Sequence, residues 1–273
     1  MIETILVATD GSEAASGAER FGIALAGRLK ARLSGCTVVE DRDIRPPNDG
    51  GLGVHGFPEG EVGSYYGSRA EAAARRLSAR ARAEGSEVAC ETARGSADDA
   101  IVARAQATDL AVLGRVGKGA ASRNGLVGST VDAVLRKASK SVVVVPPGAS
   151  LAGPIVLGFD GSPGSRVAAR TAVELANRMG EAVHVFVDSK DKGRAVARFE
   201  EVRQIVVGLS VPVRETSSTL GRPDVKLVDT AREARAGLIV MGAYGRNRIT
   251  DFFLGSNAAA VARNSPIAVL LAR

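Results

Sequence analysis

Two stretches of this sequence carry residue types at a spacing suited to holding an anion. Late in the chain, Gly242-Ala-Tyr-Gly245 is followed by nine residues and then by Gly255-Ser256-Asn257. Glycine lets backbone N–H groups approach an anion closely, and a Gly-Ser pair opening a helix adds the positive end of the helix dipole. That combination is the physics of a phosphate cradle. Earlier, Gly114 and Gly117 are followed by ten residues and then by Gly128-Ser129-Thr130. A single Gly-x-x-Gly would carry little weight, because loops use glycine simply to turn. Two carboxylates, Asp10 and Asp160, each precede Gly-Ser. Each either projects over a ligand crevice or turns the chain and caps the next helix, and both readings stay open at this level. Arg115, Lys118 and Arg123 near the first loop, and Arg246 and Arg248 near the second, are either phosphate partners or ordinary solvated charges.

Other chemistries find no support. Gly51, Gly53 and Gly56 match G-x-G-x-x-G, but no strand runs into them and Pro58 follows, so a dinucleotide fingerprint is rejected. No G-x-x-x-x-G-K-[ST] exists. The only histidines, His55 and His184, are too few and too separated for a His metal site or a Ser-His-Asp triad, which leaves Ser12 and Ser162 as helix caps. Cys36 and Cys90 lack C-x-x-C spacing and read as core residues. The chain is basic, with a net charge of +6, but its Lys and Arg are interleaved with Asp and Glu, and Trp is absent. A base-stacking platform for nucleic acid is therefore not expected. With no apolar run of roughly 18 residues and no basic, cleavable leader, the chain is expected in the cytoplasm, away from membranes.

The elements that must position these residues come from a repeat. ILVATDGS at 5–12 returns as IVLGFDGS at 155–162, an offset of 150, and LAVLGRVG at 110–117 returns as LIVMGAYG at 238–245, an offset of 128. The second copy is thus 22 residues shorter between these points, which the Gly/Pro-rich stretch at 42–68 accounts for. Short apolar runs alternate with segments of helical period, as in β-α-β units around a parallel sheet. Strands are predicted near 4–9, 35–39, 87–91, 110–113 and 142–145, and again near Ile155, Val183, Val211, Leu238 and Ile267. Ala18, Phe21, Leu25 and Leu29 form one helical stripe, matched by Ala169, Val173, Ala176 and Met179. Each copy is then a five-stranded parallel open sheet, one over residues 1–148 and the other over 153–273, joined at PPGASLAG. In such sheets ligands bind outside the carboxyl ends of the strands, where strand order reverses, and both the Asp-Gly-Ser turns and the glycine loops end there.

The pattern G-x-x-G, nine residues, G-[ST], placed after strand four and paired with an Asp after strand one, resembles the universal stress protein family in its tandem two-domain form. The resemblance covers nearly the whole chain, including the closing helix and strand of each copy. It implies an α/β fold of two tandem Rossmann-like (adenine nucleotide α-hydrolase-like) domains with helices on both faces, ATP as ligand, and a role in stress adaptation, with some members binding no nucleotide. By motif, Gly242, Gly245, Gly255, Ser256 and Asn257 would hold the phosphates. Asp160, Met241 and Phe186 would hold the adenosine end, Phe186 standing where the family usually has Val. The first copy offers Asp10, Val38, Leu113, Gly114, Gly117, Gly128, Ser129 and Thr130 in the same roles.

The leading expectation is a nucleotide-dependent regulatory protein. A slow ATP hydrolase, with Mg²⁺ bridging the phosphates, and a nucleotide-free interaction module are the alternatives. The ten-residue spacing of the first copy either bulges out or shifts its cradle relative to the helix, so that copy is expected to bind more weakly. The last strands of the two copies are short apolar edges that need covering, and antiparallel pairing between them would make the chain a pseudo-dimer of its own halves. A homodimer of whole chains is left open.

Overall fold

The computed structural model describes residues 1–40, 59–117, 128–244 and 254–273. The elements run β1 (Thr4–Ala8), α1 (Glu13–Leu29), β2 (Arg32–Glu40), α2 (Glu59–Ala83), β3 (Val88–Gly95), α3 (Ala97–Ala105), β4 (Leu110–Gly114), α4 (Ser129–Lys137) and β5 (Ser141–Val145). They continue as β6 (Ile155–Gly158), α5 (Pro163–Met179), β7 (Val183–Asp188), α6 (Lys192–Val206), β8 (Val213–Ser218), α7 (Pro223–Glu233), β9 (Leu238–Gly242), α8 (Ser256–Asn264) and β10 (Ala268–Ala272). Helix α2 begins at Glu59, so the irregular stretch expected through Ser68 is shorter than its glycines imply. The Gly51, Gly53 and Gly56 motif lies outside the described residues.

All ten strands form one sheet in the order β3-β2-β1-β4-β5-β10-β9-β6-β7-β8. The order reads the same from either edge once the repeat is taken into account. Within each half the neighbours are parallel, and the only antiparallel pair among the described strands is β5 with β10, Val144 facing Val269 and Val142 facing Leu271. Two five-stranded sheets are therefore fused through the last strand of each. Val142–Val145 and Val269–Leu271 have no water-facing side, which is why both runs are uniformly aliphatic. An unpaired edge of that composition would invite association with other chains.

Alternation along the strands divides the core between two faces. Ile5 and Val7 join α1, α2, α5 and α6 on one face, while Leu6 and Ala8 join α3, α4, α7 and α8 on the other. Both clusters run through both halves. The seam has a reciprocal polar contact: Arg28 donates to the Met179 carbonyl at the end of α5, and Arg178 donates to the Leu29 carbonyl at the end of α1. The two donors, Arg28 and Arg178, are 150 residues apart, as are the two acceptors, Leu29 and Met179, so the same contact is made twice, as at a two-fold interface. Each guanidinium satisfies a terminal carbonyl of the other helix and meets its negative end. Among the described residues no helix is long and apolar enough to cross a membrane.

Candidate functional site

Each half begins its site at the turn after the first strand. In Asp160-Gly161-Ser162 the Asp160 Oδ1 accepts from the Ser162 N–H at 3.0 Å, and the Ser162 Oγ accepts from the Ser165 N–H at 3.2 Å. Gly161 has φ +76°, a left-handed conformation that a side chain would strain. The first half repeats this geometry, with Asp10 Oδ1 accepting from Ser12 N–H at 2.9 Å and Gly11 at φ +69°. Ser12 and Ser162 are N-caps, as their sequence context implies. The two carboxylates thus turn the chain and also stand at the ligand end of the sheet.

Register brings the next residues together. Gly158 at the end of β6 lies beside Phe186 of β7 on one side and Met241 of β9 on the other. This is the point where strand order reverses, since β7 and β9 flank β6 although the chain visits them far apart. Past Gly242, the Gly255 N–H donates to the Ala243 carbonyl at 2.9 Å, tying the start of α8 to the end of β9. Helix α8 has no side-chain cap at Gly255 and no acidic residue in its first turn. Among the described residues no side chain caps its leading N–H groups, which suit an anionic acceptor.

These residues line one cleft of about 640 Å³ that includes Asp160, Phe186, Met241, Gly242, Gly255, Ser256 and Asn257. Seven of the eight residues expected in the second copy are thus gathered at one place, and the eighth, Gly245, lies outside the described residues together with Arg246 and Arg248. The floor is apolar, built from Phe186, Leu227, Met241 and Val261. Ser256 and Asn257 are exposed at the rim. Sequence reasoning missed Asp188, Pro223, Asp224, Leu227, Tyr244 and Leu254, which also line the cleft. Asp188 was legible as the acid ending β7, but nothing in the sequence placed α7 against it. Tyr244 sits under Arg273, whose guanidinium is 4.9 Å from the ring centroid and donates to the phenol oxygen and to the Leu135 carbonyl of the first half. Burial lowers the pKa of Arg273 below the ordinary guanidinium value.

In the first half, Asp10, Gly114, Gly117 and Gly128 also converge. A Cβ built on Gly117 would lie 2.7 Å from the Asp10 carboxylate, and one on Gly128 would lie 3.8 Å from the Gly117 nitrogen. The extra residue of the ten-residue spacing leaves the helix start where the second half has it. Gly128 N–H donates to the Arg115 carbonyl at 2.9 Å, matching Gly255 to Ala243, and the two capping glycines share nearly the same backbone angles. Residues 118–127, with Lys118 and Arg123 among them, lie outside the described residues. Ser129 is exposed and Thr130 partly so. Leu113, the last residue but one of β4, lies beside Ala8 and is buried in the core.

Register corrects one expected pairing, and the folded seam gives Arg115 a partner that neither sequence reading named. Ala8 lies beside Cys36, just as Gly158 lies beside Phe186, so Cys36 and not Val38 is the counterpart of Phe186. Val38 takes the place of Asp188, which the constant offset of 150 through this region would have revealed. Burial pushes the Cys36 thiol up to about 11, so a neutral, compact side chain stands where the second half has an aromatic ring. Arg115 is half-buried and donates to the Ser265 carbonyl of the second half at 2.6 Å, so it serves the seam.

The profile of the universal stress protein family matches residues 1–146 and again 152–273. A universal stress protein of Mycolicibacterium smegmatis is 32% identical over 208 residues, covering 69% of this chain and 70% of that protein. One from Mycobacterium tuberculosis is 32% identical over 184 residues, covering 60% and 62% respectively. The crystal structure of a universal stress protein from Archaeoglobus fulgidus superposes with a TM-score of 0.79 at 18% identity, covering 100% of this chain and 99% of that one, a likeness of fold. The double profile match along a chain whose halves repeat the same sheet and the same turn places this protein in the universal stress protein family, in its tandem form.

Proposed function

We propose that the second-half cleft binds ATP and that the protein is a nucleotide-dependent regulator of stress adaptation acting in the cytoplasm. The observation that carries the reading is the convergence of Asp160, Phe186, Met241, Gly242, Gly255, Ser256 and Asn257 on one cleft. Its apolar floor suits a base, and the uncapped start of α8 suits phosphate oxygens. Gly245 would complete the phosphate loop. Mg²⁺, where bound, would ride on the phosphates. The residues 1–148 and 153–273 act as two domains that pair as a pseudo-dimer within one chain.

The first half binds more weakly. Asp132 stands in the first turn of α4, where α8 carries no acid, and Val38 replaces Asp188. Asp10, Leu113, Gly114, Gly117, Gly128, Ser129 and Thr130 remain in position for a second, lower-affinity nucleotide.

Calorimetric titration with ATP of the parent and of Ser256→Asp tests the site. Ser256 is exposed and an acid at a helix start favours the helix, so the variant should fold. Its charge would stand where phosphate belongs, and affinity at the strong site should fall at least tenfold, about 1.4 kcal/mol. Ser129→Asp should leave that site untouched. Unchanged ATP affinity in a folded Ser256→Asp protein would overturn the assignment.

A further inference from the structure

The second-half cleft has one polar atom that the fold leaves unanswered. Asp188 ends β7 and lines the cleft, and among the described residues its buried Oδ1 has no hydrogen-bond partner. An ionised carboxylate only accepts, so this oxygen asks for a donor. Its backbone is held on both sides: the Asp188 carbonyl accepts from Arg198 Nη1 at 2.7 Å, and the next residue, Ser189, donates its N–H to the Ser218 carbonyl at 2.8 Å. The nearby cation, Arg198, is therefore engaged by the main chain through Nη1.

Position says which end of a ligand Asp188 would meet. Strand order is β9-β6-β7, so β7 is two strands from β9 and the α8 start that follows it, on the order of 10 Å at normal strand spacing. An anion seated at α8 would be repelled by a carboxylate beside it, and this separation keeps the two apart. Asp188 is two residues beyond Phe186 and shares its face of β7, lining the same cleft as Pro223 and Leu227 of α7. The donor it takes thus belongs to the uncharged end of the ligand, next to the apolar floor. The first half has Val38 at this place, which cannot accept, so the device belongs to the second half alone.

We propose that Asp188 reads the nucleoside end of the ligand, its Oδ1 accepting a hydrogen bond from the exocyclic amine of the base or from a ribose hydroxyl. The assignment rests on the nucleotide reading above and gives that cleft its selectivity. A charge-assisted hydrogen bond inside a cleft is among the stronger ones, and losing it should weaken binding at least tenfold.

The test is calorimetric titration of parent, Asp188→Ala and Asp188→Asn with ATP, inosine triphosphate, 2′-deoxy-ATP and 3′-deoxy-ATP. Asp188→Ala should weaken ATP at least tenfold, and Asp188→Asn, which keeps an acceptor oxygen, should weaken it less. One analogue should bind the parent at least tenfold more weakly than ATP and be indifferent to Asp188→Ala. Inosine triphosphate in that role identifies the amine, and a deoxy analogue identifies the hydroxyl. If Asp188→Ala weakens all four nucleotides equally, Asp188 is merely structural and the proposal fails, as it does if ATP affinity is unchanged. If the parent binds none of them, the nucleotide reading itself falls and this assignment with it.

Discussion

Gly242 and Gly114 occupy the same place in the repeat, yet the structure assigns them different costs of substitution. A Cβ built on Gly242 would fall 2.6 Å from the Gly164 carbonyl carbon, 2.9 Å from its oxygen and 2.9 Å from the Ser165 nitrogen. All three are backbone atoms of the first turn of α5, so no side chain can swing aside. Non-bonded carbons sit comfortably at about 3.5–4.0 Å, so β9 and α5 would have to part by roughly 1 Å. At Gly114 the nearest atoms are the Val116 carbonyl oxygen at 3.2 Å and the Ala14 oxygen and Ala15 Cα, both at 3.6 Å, which a small adjustment accommodates. Neither glycine has positive φ, so alanine is free to adopt both backbones, and the entropic gain from replacing glycine is common to the two variants. That gain cancels in the comparison and leaves the overpacking term. Gly242→Ala should therefore be less stable than Gly114→Ala by about 1–3 kcal/mol. Urea unfolding midpoints measure the difference, and the melting temperature should differ by about 2–4 °C per kcal/mol. The same displacement would move the Asp160 turn at the head of α5, so ATP affinity should drop in Gly242→Ala and hold in Gly114→Ala. Equal midpoints for the two variants, or a greater loss at Gly114, would refute the packing argument.

Three further outcomes follow from local geometry. Ser162→Ala should cost about 1 kcal/mol in urea unfolding, because it removes the oxygen that accepts from the Ser165 N–H at a buried helix start; no change in midpoint would mean the cap is idle. Desolvation pushes the buried Cys36 and the half-buried Cys90 up to about 11, so an alkylating reagent at pH 8 should modify the native protein far more slowly than the unfolded chain; equal rates would contradict the neutral thiols. Burial, reinforced by Arg214, holds the His184 imidazole below its ordinary value of 6.5. The unfolded chain then binds that proton first, so the His184 contribution is complete above the unfolded value and is lost as pH falls from there towards the lower folded value. Stability profiles of parent and His184→Gln should diverge in slope over that window, and parallel profiles would exclude the effect.

How much of this protein was legible in the chain follows from what each feature depends on. Local chemistry was readable: the Asp-Gly-Ser turns, the capping roles of Ser12 and Ser162, the helical stripe of Ala18, Phe21, Leu25 and Leu29, and the glycine loops whose ends meet at the sheet. These depend on residues a few positions apart, and the repeat lets one copy check the other. The need to cover the last strands was readable too, because Val142–Val145 is uniformly aliphatic, and β5 does pair antiparallel with β10. Register was not legible, since alternation says only which face a residue takes and not which neighbour it meets. Backbone pairing put Cys36, not Val38, beside Ala8. Long-range partners were beyond reach for the same reason. Arg115 is a basic loop residue in sequence, and only the folded seam gives it the Ser265 carbonyl. Asp188 is an acid at a strand end until the fold brings Pro223 and Leu227 of α7 to the same cleft and leaves its Oδ1 buried with no partner among the described residues. Composition and spacing act along the chain and decide the elements and the place of the site. Contacts between residues far apart in sequence, which only close packing of the sheet and its helices can set, decided who lines the cleft and how the two halves lock together.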